Sequence, residues 1–193
     1  MATTNPPHIV VSGVSTGAPV AQTSATTEDA PESKLAVESQ MMSDFMFGGS
    51  ILVVVVMFHA FATRYITSVF LQRSQTLTAH AAPWRADLLF ALTLTSLLSV
   101  HLVEILIWTA ALVYADVVRD WSKAAYFASN CYTALGEPFS LPRAWRLVPP
   151  IMAISGIFTF AWTASLLVDF VSRYNDLRAA ILARHRKPPA DQK

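Results

Sequence analysis

Residues 121–137, WSKAAYFASNCYTALGE, decide how this chain is read. They are too few and too polar to cross a bilayer, which takes about 20 apolar residues in a helix. Long apolar stretches flank them, at 88–114 and at 147–171. A third begins near Gly49 and reads ILVVVVMFHAFATRYITSVFL over 51–71. The pattern predicts an all-α integral membrane protein with three transmembrane helices and one short helix between the second and third.

Composition agrees. Of 193 residues, 53% are hydrophobic and only 14% charged, too apolar for an ordinary soluble domain. The net charge of +1 gives no basis for nucleic-acid binding. The basic residues gather towards the C-terminal end, where a membrane surface accounts for them. The single cysteine, Cys131, excludes an internal disulfide framework and reads as a buried thiol. Residues 1–45 form a Thr/Ser/Ala/Pro tract with no basic start and no apolar core, so they are no secretory signal. Such a tract is expected to be disordered, because it cannot bury enough apolar surface to offset its ordering entropy.

The expected organisation is a first span at 46–72 and a pore-like domain at 86–172. That domain divides into a helix at 88–115, a short helix and turn at 121–138, and a last helix at 147–172. A basic tail, 173–193, follows, helical as far as Arg186 and ended by the two prolines after Lys187. Arg64 is accommodated by snorkelling. Pro149 and Pro150 fall in the first turn of the last helix, where a missing N–H costs nothing. Arg73 and Arg85 mark the first connection as cytoplasmic, and Arg173, Arg178, Arg184, Arg186 and Lys187 mark the C-terminus likewise. The N-terminus is then outside, in a cell (inner) membrane. Trp84, Trp121 and Trp145 fall at expected interfaces.

A helix ending at Thr133 points its negative dipole end inward and favours a cation below it. Carbonyls of the turn that follows can replace an ion's hydration shell. Irregular backbone at membrane depth survives only inside protein or beside water, a condition that a pore meets. The residues HLVEILIW at 101–108, AAYFASNCYTALG at 124–136, WRLV at 145–148 and SGIFTFAW at 155–162 resemble the pore domain of the potassium-channel superfamily. The similarity is greatest to small bacterial channels with two helices around a pore loop plus an extra N-terminal span. It covers residues 101–171.

The resemblance implies a homotetramer that conducts potassium or sodium passively, with Thr133, Ala134, Leu135, Gly136 and Glu137 forming the ion pathway and filter. The turn departs from the family's TxGYG pattern. Ala134 stands where a second Thr is usual, Glu137 at the aromatic position, Pro138 at the second Gly, and Phe139 where Asp is common. Pro138 cannot reach positive φ, so a stack of carbonyls ends at Gly136. Glu137 then forms either a ring of carboxylates at the mouth, which selects cations but separates them poorly, or an interfacial carboxylate paired with Arg143 or Arg146.

Gly156 is a gating hinge by the same resemblance, or else a point of close helix packing. Phe160, Thr163 and Leu167 share its helical face as pore-lining candidates. Asp169 lies near the inner end, as an anionic ring or as an interface residue beside Arg173. His101 and Glu104 form an intramembrane polar pair one helical turn apart. They read as a docking hydrogen-bond pair, or as two ligands of a metal-binding membrane enzyme. His59 reads as a packing or interhelical hydrogen-bond residue, with no third histidine or carboxylate expected to complete a set. The expectation is therefore no catalytic residue, no metal and no cofactor, with membrane lipids and further copies of the chain as partners. A nonconducting channel-like protein with a structural or regulatory role is the alternative.

Overall fold

The computed structural model describes residues 29–77 and 83–186. Their elements are α1 (Asp29–Leu77), α2 (Pro83–Tyr114), α3 (Trp121–Tyr132), a single 3₁₀ turn (Arg143–Trp145) and α4 (Val148–Arg186). No strand occurs among the described residues. Among the described residues, three helices are long and apolar enough to cross a membrane: within α1, within α2, and from the 3₁₀ turn through α4. Only 17–28% of each apolar window is buried inside the chain, so most of that surface faces outward. An apolar solvent or further copies of the chain suit such a surface, and water does not.

The elements end where chemistry dictates. Pro83 starts α2 at a position that needs no N–H. Asp120 caps α3 by accepting the Lys123 N–H at 2.8 Å. Pro149 and Pro150 occupy the first turn of α4. The hydroxyls of the second span are internally satisfied: Thr93, Thr95, Ser96 and Ser99 each donate to the carbonyl four residues back. That is how a polar run survives in an apolar helix.

The described helices outrun the expected spans. Residues 29–45, expected to be disordered, are helical and continuous with α1, while residues 1–28 lie outside the described residues. Extending a nucleated helix over Ala30, Glu32, Lys34, Leu35 and Ala36 is cheap. α4 runs unbroken from the last span through the tail, which the sequence also reads as helical, to Arg186, and residues 187–193 lie outside the description.

α1, α2 and α4 all pack against one another, and α3 lies against α2 and α4. The main core surrounds α3. Phe127, Ala128, Cys131 and Tyr132 meet Trp108 and Leu112 of α2 and Val148 and Met152 of α4. Smaller clusters hold the far ends: Phe70, Leu97 and Phe170, then Ala86, Leu177 and Ile181. Phe47 of α1 meets the Trp145 ring edge-on at 5.1 Å.

α2 and α3 both close with the same device. After α2, the Asp116 N–H reaches the Val113 carbonyl and the Val117 N–H reaches Leu112, both at 3.0 Å. After α3, the Ala134 N–H reaches Cys131 at 3.0 Å and the Leu135 N–H reaches Asn130 at 2.9 Å. These are Schellman closures, which need a left-handed residue at their centre. Asp116 (φ 58°) tolerates it, and Arg119 ties its carboxylate back at 2.8 Å, holding it below the usual range. Ala134 sits at φ 57° with no such help. Ala134→Gly is expected to stabilise the fold by about 1 kcal/mol, the left-handed penalty less the extra chain entropy of glycine. Thermal unfolding in detergent checks it, and an unchanged or lower midpoint would remove the left-handed turn from the account.

Candidate functional site

Glu104 is the centre of a polar cluster that joins all four helices, although an isolated carboxylate inside an apolar bundle is costly. Glu104 and His59 are fully buried, and His101 is 4% exposed. His59 of α1 donates from Nδ1 to Glu104 Oε1 at 2.7 Å. Tyr132, the last residue of α3, donates its hydroxyl to Glu104 Oε2. His101 lies one turn before Glu104 on α2, its Nδ1 2.9 Å from Tyr132 Oη and 3.4 Å from Glu104 Oε2. From α4, the Thr159 hydroxyl lies 2.7 Å from Tyr132 Oη. Thr163 Oγ1 lies 3.0 Å from His101 Nε2 and 3.4 Å from His59 Nε2. Trp108 extends the cluster by one step, donating its indole N–H to the Ser155 hydroxyl at 3.0 Å. No buried side-chain nitrogen or oxygen among the described residues lacks a partner.

Tyr132 reaches Glu104 because α3 runs back along α2, and Glu104 lies ten residues before the end of α2 at Tyr114. Close packing on α4 brings it there. A Cβ built on Gly156 would lie 1.9 Å from the Tyr132 carbonyl oxygen. The position is thus one of close backbone approach, and bending of α4 at Gly156 is not needed to explain the glycine. The contact also fixes the rotation of α4. Gly156 and Thr163, both expected to line a pore, are turned into the chain's own bundle. Phe160 stacks on His101 with centroids 4.2 Å apart, and Leu167 is half-buried. A helical wheel gives the shared face but not its direction, and the contact with α3 decides that.

The expected absence of a third member beside His101 and Glu104 is corrected by His59, 45 residues earlier on α1. The three residues offer ligand atoms that lie within 4.8 Å of one another. Tyr132, Thr159 and Ser155 were also missed as site residues. The signals for Tyr132 and His59 are a phenol on the apolar face of the short helix and a histidine inside an unbroken apolar run.

The turn after α3 is a separate feature. Residues 133–140 are all exposed, Leu135 at 79%. Gly136 has φ 108°, which strains any other residue. Among the described residues, the carbonyls of Thr133, Ala134 and Leu135 accept no backbone hydrogen bond. Glu137 makes no ion pair with Arg143 or Arg146. With Ala134, Gly136, Arg146 and Pro149 it lines a depression of about 350 Å³ beside the start of α4. Asp169, far along α4, is paired with Arg173 at 2.7 Å and exposed.

Compared with family models, curated proteins and solved structures, the chain matches none.

Proposed function

We propose that this chain is one subunit of a homotetrameric membrane channel that passes monovalent cations, potassium or sodium, down their gradient. The observation that carries the reading is the exposed turn at the C-terminal end of α3, whose Thr133, Ala134 and Leu135 carbonyls have no backbone donor. Those carbonyls stand at the negative end of a helix dipole, where a cation is favoured. α3 enters as a re-entrant pore helix, anchored from behind by Tyr132 and Glu104. Glu137, which makes no ion pair among the described residues, completes the mouth as a ring of carboxylates. The outward apolar residues of α4, among them Ile154, Ile157 and Phe158, supply the contacts between subunits and with lipid. The N-terminus lies outside the cell membrane and the C-terminus in the cytoplasm.

Flux from liposomes tests this. Purified protein is expected to pass potassium and sodium but not chloride, and Glu137→Gln is expected to reduce cation flux about tenfold at low salt, where a mouth charge concentrates cations most. Absence of flux under voltage, pH and tension would discard the conducting reading. One observation favours the nonconducting alternative: Ala134 is held left-handed by the Schellman closure and Pro138 follows two residues after Gly136, so the turn departs from an extended row of carbonyls.

A further inference from the structure

Two histidines, a carboxylate and a phenol converge on one buried point, each from a fixed position on a helix. We propose that His59, His101, Glu104 and Tyr132 form a structural site for one divalent transition metal of the zinc class. The site stands apart from the exposed turn and does not depend on ion conduction.

The inner atoms of the cluster are the ligand atoms. His59 Nδ1 is 2.7 Å from Glu104 Oε1, and His101 Nδ1 is 3.4 Å from Glu104 Oε2 and 2.9 Å from Tyr132 Oη. A tetrahedral ion with bonds of 2.0–2.1 Å places its ligands about 3.3 Å apart, so small side-chain movements open the centre to an ion. Two imidazole nitrogens and two oxygens, with no thiolate, suit zinc, cobalt or iron over copper(I). The donors close all four positions inside a buried core, the mark of a structural rather than a catalytic site.

The outer atoms strengthen the assignment. The other ring nitrogen of each histidine, Nε2, faces the same oxygen, Thr163 Oγ1, at 3.4 Å from His59 and 3.0 Å from His101. A hydroxyl oxygen has two lone pairs, one for each N–H. With a metal on Nδ1, each neutral ring carries its proton on Nε2, where Thr163 accepts it, the arrangement that orients metal-bound histidines. The proton that His59 Nδ1 donates to Glu104 in the metal-free cluster gives way to the ion, and the ring takes up the Nε2–H form. Glu104 supplies one formal negative charge at the ion. The metal would bind α1, α2 and α3 together at the place where α3 meets the bundle.

The test uses the full chain in lipid nanodiscs, purified without a polyhistidine tag, stripped with chelator and then equilibrated with zinc or cobalt alone. One equivalent of metal per chain is expected, with the intense visible bands of four-coordinate cobalt. His59→Gln and His101→Gln are expected to abolish binding. A control with His8, His80 and His185 all replaced by glutamine is expected to keep it. Two mild variants guard against misfolding: Thr163→Val should weaken affinity ten- to hundredfold while keeping the cobalt bands, and Tyr132→Phe should retain cobalt with altered bands. Substoichiometric metal in the wild type, or loss confined to the control, would overturn the site and leave a metal-free hydrogen-bonded cluster. So would Thr163→Val binding as tightly as the wild type.

Discussion

Gly156→Ala should lower the thermal midpoint of the purified protein by about 6–12 °C, among the largest losses any single methyl group can cause here. The added carbon would lie 1.9 Å from the Tyr132 carbonyl oxygen and 2.8 Å from its carbon, both backbone atoms that no rotamer change can move away. α3 must retreat from α4, which draws Tyr132 off Glu104. Overpacking of this kind costs about 3 kcal/mol. Gly49→Ala is the internal control. Its Cβ meets nothing within 4 Å, so it should gain about 0.5–1 kcal/mol from better helix propensity. Gly48→Ala falls between, because its Cβ meets only the movable tip of Ile151. The experiment also separates two roles for Gly156. A hinge without close packing would make Gly156→Ala more stable, since alanine favours a straight helix. A raised midpoint would therefore refute the packing of α3 described above.

Removing the Glu104 carboxylate is the second large effect. Glu104→Ala leaves His59 Nδ1 buried without its acceptor, takes from the Tyr132 hydroxyl its charged acceptor and opens a cavity between four helices. Breaking a buried, hydrogen-bonded charge pair costs about 3–5 kcal/mol. The variant should lose its monodisperse form in detergent or unfold at least about 6 °C earlier. Glu104→Gln retains one acceptor and should lose less. The cluster makes a sharper claim as a double-mutant cycle, measured in chelator so that no metal contributes. His59→Ala and Glu104→Ala should be strongly non-additive, with a coupling of about 1–3 kcal/mol, because each removes the other's partner. Additive losses would mean that the 2.7 Å contact between α1 and α2 contributes nothing to stability.

Both effects show where reading the chain stops. Helix type, the number of apolar spans and some helix ends are legible because they rest on local chemistry. Examples are the apolar length of 51–71, Pro149 and Pro150 in the first turn of the last helix, and the end of the short helix near Thr133. The starting point of α1 was missed because propagation of an existing helix needs no strong local signal.

The site was half legible. His101 and Glu104 stand out because ionisable residues inside an apolar run demand partners and share a face at three residues' spacing. Their partners did not stand out. His59 and Thr163 lie 45 residues before and 59 residues after Glu104. Nothing in a helical period says which face of α1 or α4 turns towards α2.

By itself, the sequence determined an all-helical chain with three spans long enough for a membrane and one short helix between the second and third. Those properties follow from hydropathy and backbone hydrogen bonding within single segments. Only the tertiary structure decided that Gly156 admits the end of α3 and that His59 completes the cluster around Glu104. Helix rotation is set by packing between segments, and that packing is a property of the assembled bundle.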